Sequence, residues 1–197
     1  MDLHQKDFLT EVLNIGLGRA SAALSEMSGS HVNLNVPDLT ICKAEELPSK
    51  LTLFGDEAVL AVRQEFSGIL SGDAILVLSK FSGQILTHRL FQELLEPDHL
   101  EEQIESAVTE LGNIVINHFV GSWSEIFYDR FRFGVPSYNL GALAPLLAER
   151  RGQRQGMYAI YAEAHLDIPE FFVMASLITL FEQSSLEKLV GAVTETG

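Results

Sequence analysis

Two stretches of the chain, DFLTEVLNIG at residues 7–16 and SAVTELGNIV at residues 106–115, carry the same polar pattern inside an apolar background. In each stretch, a Glu follows a polar residue by four positions and an Asn follows the Glu by three. The first copy consists of Asp7, Glu11 and Asn14, and the second of Ser106, Glu110 and Asn113. Because a helix turns about 100° per residue, these spacings place the three polar side chains of each copy on one stripe. The two stretches therefore predict two similar helices, each with one polar stripe.

The similarity extends beyond these helices. A shift of 99 residues superimposes Val36 on Val135 and Pro37 on Pro136, so that 22 residues separate each motif Asn from its Pro. Self-similarity with a single long period indicates duplicated half-domains and not a solenoid of short repeats. We predict one domain over residues 1–197, built from halves at about 1–97 and 98–197.

Hydrophobic periodicity predicts that each half opens with a long helix, at residues 6–27 and 100–119. The second helix also has a start signal. Pro97 ends the preceding segment, Asp98 is a candidate N-cap, and Glu101 follows three residues later, as in a capping box.

Strand-like runs follow each opening helix, and a shorter helix closes each half. The predicted strands are residues 31–36, 39–42, 58–66 and 73–79, and then 131–135, 158–165 and 170–176; the closing helices are residues 81–95 and 182–193. Most connections between strands are too short for crossover helices, which favours an α+β fold with a largely antiparallel sheet. We expect an approximate two-fold relation between the halves, with the two motif-bearing helices packed side by side on one face.

The charge and composition exclude several classes of function. The formal charge of −14 and the absence of a basic stripe argue against nucleic acid as a partner. Cys42 is the only cysteine, which excludes an internal disulfide and fits the cytoplasm. No signal-peptide pattern opens the chain, and the apolar run at residues 171–181 is too short to span a bilayer, so we expect no membrane insertion.

Two small features of the sequence remain to be placed. The arginines Arg150, Arg151 and Arg154 form a basic island in an acidic chain, which we interpret as a solvated hairpin loop. The six histidines show no spacing that places two metal ligands on one helical turn, so no metal site is predicted.

An Asn within a helix needs a reason, because it favours the helix poorly and is costly to bury without hydrogen bonds. One explanation is structural: the polar stripes are solvated faces, or Asn14 and Asn113 bond to each other across the two helices. The other explanation is functional: the carboxamides reach the surface at two separate, shallow sites. Duplication preserves a structural Asn as readily as a functional one, so the repeat alone does not decide between them.

The motif resembles the signature of the CheC, CheX and FliY phosphatases, in which D/S-x-x-x-E-x-x-N is followed by 22 residues and a Pro. Both copies match it, and the flanking residues Asn14-Ile15-Gly16 and Gly112-Asn113-Ile114 are similar too. Two intact motifs resemble the CheC branch more than the CheX branch, which keeps one site of the pair.

The resemblance implies a hydrolase that removes the aspartyl phosphate of a CheY-like receiver domain. It assigns the orientation of the attacking water to Asn14 and Asn113, and contact with the receiver's active-site lysine to Glu11 and Glu110. Asp7 and Ser106, one turn earlier, would support the site or touch the partner. No cofactor is expected on this chain, since the receiver supplies the Mg²⁺.

The main alternative is a non-catalytic module that docks a receiver domain or a component of the flagellar switch. A glycosidase using Glu11 and Glu110 is a weaker alternative, because it explains neither the Asn residues nor the repeat. A CheD-like activator and a homodimer are possible further partners that the sequence leaves open.

Overall fold

A computed structural model describes residues 2–55, 57–91, 97–148 and 156–196 of the chain. The elements of the first half are α1 (Leu3–Ser28), β1 (Asn33–Asn35), β2 (Leu39–Lys43), α2 (Leu47–Lys50), β3 (Ala58–Ser67), β4 (Gly72–Ser79) and α3 (Lys80–Leu90). Those of the second half are α4 (Leu100–Gly121), α5 (Trp123–Phe127), β5 (Arg132–Phe133), β6 (Ser137–Ala142), α6 (Leu143–Ala148), β7 (Met157–Ile168), β8 (Phe171–Glu182) and α7 (Gln183–Thr196). Arg150, Arg151 and Arg154 lie outside the described residues.

The eight strands form one antiparallel sheet in which each half completes the other. Strands β4 and β8 pair at the centre, with β3 beside β4 and β7 beside β8. The early strands then cross over: β1 and β2 of the first half pair with β7, while β5 and β6 of the second half pair with β3. The prediction of an α+β fold with a largely antiparallel sheet is confirmed.

The pairing register shows the two-fold relation between the halves. Leu34 pairs with Leu166, and Phe133, which lies 99 positions after Leu34, pairs with Phe66, which lies 100 positions before Leu166. The shift is thus 99 residues for the early strands and 100 for the pair β3 and β7. For β4 and β8 it becomes 101, because Val62 pairs with Leu76 while Ala162 pairs with Leu177.

Each face of the sheet has its own core. Alternate residues of a strand point to opposite faces. Leu60 and Val62 of β3 belong to the core that also holds residues of α1, α3, α4, α5 and α7, whereas Val59 and Ala61 belong to the core with residues of α2 and α6. The first core holds both long helices, and α1 and α4 pack against each other within it. Their expected placement side by side on one face is confirmed.

Several predicted boundaries differ from the structure. Pro97–His99 forms a 3-10 turn, so α4 begins one residue later than an Asp98 cap requires, and its N-cap His99 makes no side-chain cap bond. The prediction of Asp98 as the N-cap is therefore wrong. Strand β8 continues to Glu182, beyond the predicted end at residue 176, because it stays paired with β4 and β7 along its length. The helices α2, α5 and α6 and the strand β6 were not predicted.

A missing side chain lets α1 and α4 approach closely. A Cβ atom built on Gly16 would lie 2.7 Å from Cβ of Ser122 and would also meet the carbonyl oxygen of His118. A Cβ atom on Gly18, half a turn further along α1, meets nothing within 4 Å. The two glycines therefore have different roles although they are neighbours.

We expect Gly16→Ala to lower the free energy of unfolding by about 1–3 kcal/mol, because the added methyl group forces the helices apart. Gly18→Ala serves as the matched control and should raise stability by up to about 1 kcal/mol, since alanine favours the helix more than glycine does. Urea denaturation of both variants measures these changes. Equal effects of the two substitutions would contradict a close contact at Gly16.

Candidate functional site

The first motif lies in the N-terminal half of α1. The helix begins with a capping box, in which the Asp2 side chain accepts from the Gln5 backbone and the Gln5 side chain accepts from the Asp2 backbone. Asp7 and Glu11 are exposed, while Asn14 is half-buried. The predicted polar stripe is therefore present, with its acidic end open to solvent and its Asn at the boundary of the core.

The carboxamide of Asn14 binds the backbone next to Pro37. Its Nδ2 donates to the carbonyl oxygen of Val36 at 2.8 Å, and its Oδ1 accepts from the Val36 N–H, also at 2.8 Å. The 22-residue spacing in the motif thus corresponds to a physical contact. One hydrogen on Nδ2 and one lone pair on Oδ1 remain available to another group.

This contact is the last of three that α1 makes along the segment around β1. Alternate residues of an extended segment present their N–H and C=O groups to the same edge. Three polar side chains of α1 satisfy that edge. The pairs are Ser25 with Val32, Ser21 with Leu34, and Asn14 with Val36. Asn14 therefore has a structural role, which was one of the two explanations left open by the sequence. Its partner is the backbone of Val36, just after β1, and not Asn113.

The second motif lies on α4, with Ser106 and Glu110 exposed and Asn113 half-buried. Here the close contact is with the sheet, because a Cβ atom on Gly112 would lie 2.5 Å from Cβ of Val62. Gln64 is the next residue of β3 on that face. The glycine before the motif Asn therefore brings α4 near enough to β3 for Gln64 to reach Asn113.

The second carboxamide is held by side chains and not by backbone. The Oδ1 of Asn113 accepts from Nε2 of Gln64 at 3.2 Å and from Nδ2 of Asn117 at 3.0 Å. Nε2 of Gln64 also donates to the carbonyl oxygen of Gly134 at 2.9 Å. Across the described residues, no group accepts a hydrogen bond from Nδ2 of Asn113.

The loop beside the second motif differs from its counterpart. Val36 is 1% exposed, whereas the equivalent Val135 is 91% exposed. Val120 occupies the position of Ser21 and has no hydroxyl group. Ser124, in the position of Ser25, donates instead to the carbonyl of Gly121 at the end of α4. The second half therefore lacks the three-contact edge that α1 supplies to β1.

The charges around the two motifs also differ. Near the first, Nζ of Lys6 lies 2.7 Å from Oδ1 of Asp38, and the hydrogen bond from Lys6 lowers the pKa of Asp38. Near the second, burial raises the pKa of Tyr138, with further contributions from Glu105 and Glu101 on α4. The second motif therefore lies on the more acidic surface.

The predicted site residues lie on the two long helices α1 and α4. Asn14 and Asn113 are on neighbouring helices, and each carboxamide bonds to other groups instead of to the other Asn. Glu11 and Glu110 are exposed beside them, as are Asp7 and Ser106. Gln64 was missed by the sequence analysis, although it occupies an inward-facing position of a strand that is otherwise apolar on that face.

The part of the chain that the structure describes contains neither a candidate metal site nor a candidate membrane span. No cluster of three or more His, Cys, Asp or Glu side chains there could hold a metal ion. None of the helices within the described ranges is both long enough and apolar enough to span a bilayer.

Among known proteins, the chain is similar in sequence to a CheC protein. No family model matches the chain. The CheY-P phosphatase CheC of Bacillus subtilis is 25% identical over 153 residues, which cover 74% of this chain and 70% of that protein. This similarity supports a relation to the CheC, CheX and FliY family. The resemblance seen in the sequence is confirmed.

Several solved structures share the fold of this chain. FliY of Thermotoga maritima superimposes with a TM-score of 0.75 at 18% identity, covering 100% of this chain and 99% of that one. CheX, in a CheX–CheY–BeF3–Mg complex from Borrelia burgdorferi, gives 0.55 at 16% identity, covering 85% and 96%. A FliG–FliM complex from H. pylori gives 0.61 at 11% identity, covering 97% and 100%.

The contacts of this CheC-like chain predict different stabilities for the two Asn variants. We expect Asn14→Ala to lower the free energy of unfolding by about 1–3 kcal/mol, because it leaves two backbone groups of Val36 without their partner. Asn113→Ala should cost less, since Nε2 of Gln64 keeps its bond to Gly134. Thermal denaturation of both variants under one condition measures the difference. A larger loss for Asn113→Ala would contradict these contacts.

Proposed function

We propose that this chain hydrolyses the aspartyl phosphate of a CheY-like receiver domain and that it has two sites for this reaction. The observation that carries the proposal is the same at both motifs. A half-buried carboxamide is fixed by two hydrogen bonds and keeps free hydrogen-bonding capacity, with an exposed Glu one turn before it. A fixed carboxamide beside a docking residue suits a reaction that needs a positioned water.

The chemistry requires little more from this chain. A water molecule attacks the phosphorus, the bond to the aspartyl oxygen breaks, and the electron pair of that bond leaves on the receiver's carboxylate. The proton lost by the water stays on the released phosphate. Such transfers depend on positioning and on stabilisation of charge, and we propose that the receiver's own Mg²⁺ supplies much of the second.

The two neutral carboxamides contribute the positioning. Asn14 has one free N–H and one free lone pair, so it can accept from the water and donate to a phosphoryl oxygen. Asn113 has its Oδ1 occupied by two donors, so it acts through the N–H groups of Nδ2. A neutral N–H donor does not repel the negative charge of the phosphoryl group, whereas a carboxylate in the same place would repel it.

The exposed carboxylates suit docking. Glu11 and Glu110 project from the helices one turn before each Asn, where a lysine of the receiver could pair with them. The surplus of acidic groups on α4 would favour approach of a cationic surface to the second site. Asp7 and Ser106 lie further along the same stripes and would contact the partner's periphery.

We expect the phosphorylated receiver to lose its phosphate faster with this protein than without it. Asn113→Ala should lower kcat on the order of tenfold or more at the second site with little change in KM, because a donor that stabilises the reacting phosphoryl group acts mainly in the transition state. The double variant Asn14→Ala and Asn113→Ala should be inactive at temperatures where it is still folded. Normal turnover by the folded double variant would overturn the roles of the carboxamides.

Charge reversal should have a different kinetic effect. In Glu11→Lys with Glu110→Lys, like charges face each other across the interface, so we expect KM to rise strongly. Raised salt should reduce this difference because screening weakens the repulsion. Titration of the receiver against the double variant measures it, with Glu187→Lys on α7 as an exposed control. Unchanged affinity would show that the two glutamates do not meet the receiver.

The alternative is a module that docks a receiver or a flagellar switch component without hydrolysis. The bond from Asn14 to Val36 favours it, since that contact alone explains one motif Asn structurally. This alternative predicts saturable binding of the receiver and an unchanged rate of phosphate loss. The decay measurement above separates the two functions.

A further inference from the structure

A glutamine lies in the core beneath the second motif. Gln64 is 2% exposed, and it lies on the helix-covered face of β3 between the buried side chains Val62 and Phe66. Its Oε1 is buried without a hydrogen-bond partner among the described residues. A buried polar atom left unpaired costs about 1–3 kcal/mol, so an apolar residue would suit this core better.

The other half of the molecule has no such residue. The register that relates β3 to β7 by 100 positions makes Ala164 the counterpart of Gln64, and Ala164 is fully buried. Gln64 is thus a feature of the second motif alone. The first motif has no need of it, because the backbone of Val36 already holds Asn14 there.

The hydrogen bonds of Gln64 fix which way Asn113 points. The carbonyl oxygen of Gly134 can only accept, so the group of Gln64 that faces it must be Nε2. The same Nε2 also contacts Asn113, so the atom of Asn113 on that side must be Oδ1. Asn117 then donates to this oxygen as well. As a result, Nδ2 of Asn113 is turned away from the core.

Gln64 also links Asn113 to the extended segment beside α4. In the first half the carboxamide of Asn14 bonds directly to the extended segment beside its helix. In the second half Val135 is exposed, and the link runs from Gly134 through Nε2 of Gln64 to Asn113. In the second half, the side chain of Gln64 therefore bridges the extended segment and the helix, which bond directly in the first half.

We propose that Gln64 is the positioning residue of the second site. It holds the carboxamide of Asn113 with its donor toward the phosphoryl group of the docked receiver. The proposal rests on the function proposed above. Gln64 touches neither the substrate nor the reacting water, so its effect appears in the rate of the second site and not in the affinity for the receiver.

The test isolates each site with an exposed substitution. Glu11→Lys leaves only the second site able to dock the receiver, and Glu110→Lys leaves only the first. Gln64→Leu is then added to each background. Leucine is similar in length to glutamine and removes the unpaired Oε1, so the variant is expected to fold, and its melting temperature checks this. Gln183→Leu, at an exposed position of α7, is the matched control.

In the Glu11→Lys background, Gln64→Leu should lower kcat on the order of tenfold with an unchanged KM, because a displaced catalytic group loses its alignment. In the Glu110→Lys background it should change neither constant. An equal loss in both backgrounds would show a general structural effect and overturn the proposal. No loss in either background would overturn it as well.

A second measurement judges the proposal even if the chain proves inactive. In the protein labelled with ¹⁵N at its side-chain amides, Gln64→Leu should move the Nδ2 resonances of Asn113 and leave those of Asn14 unchanged. If no variant hydrolyses the receiver but this shift occurs, the proposed function fails while the positioning contact stands. If Asn113 does not respond, the positioning role fails, whatever the activity.

Discussion

The exchange of strands between the halves is the constraint on which the rest of the structure depends. Neither half completes its own sheet, because β1 and β2 pair with β7 while β5 and β6 pair with β3. Each long helix lies over a sheet built from both halves, and the segment beside each helix is held by a strand of the other half. The position of each motif Asn is therefore set by the whole sheet and not by its own helix alone.

Within this sheet, the two motifs share their Glu and Asn residues, but different groups hold the two carboxamides. In the first, the backbone next to Pro37 fixes the carboxamide. In the second, the equivalent residue Val135 is exposed, and two amide side chains hold the carboxamide. The glycines near the two motifs also make different contacts. Gly16 allows α1 to pack closely against α4, and Gly112 allows α4 to pack closely against β3. A repeated sequence motif thus does not imply repeated contacts.

Much of the fold could be predicted from the sequence, because the long helices and strands have clear periodicity and the 99-residue shift repeats their order. The short elements could not. Strand β6 alternates weakly, and it is extended because β3 offers it an edge, which is a tertiary effect. The end of β8 was misplaced because an apolar run suits a strand or a buried helix equally, and only pairing with β4 and β7 decides.

The site was predicted in part. Spacing alone placed Glu11, Asn14, Glu110 and Asn113 on two polar stripes, since helix geometry relates residues three and four apart. The partners of the two carboxamides could not be predicted, because Val36 and Gln64 lie 22 and 49 positions away and meet their Asn only in the folded chain. The offset of 100 residues between β3 and β7 is likewise a property of the sheet. It makes the apolar Ala164 the counterpart of Gln64.

The central claim is that both motif carboxamides face the phosphoryl group of a docked receiver, and side-chain amide resonances test it most directly. Beryllofluoride, which mimics the phosphoryl group, would be used to activate a CheY-like receiver, which is then titrated into protein labelled with ¹⁵N at its side-chain amides. The account predicts that the resonances of Asn14 and Asn113 shift with the activated receiver. Those of Asn139, which lies on the opposite face of the sheet beside α6, should not shift. Binding of the activated receiver that leaves both motif resonances in place would contradict it.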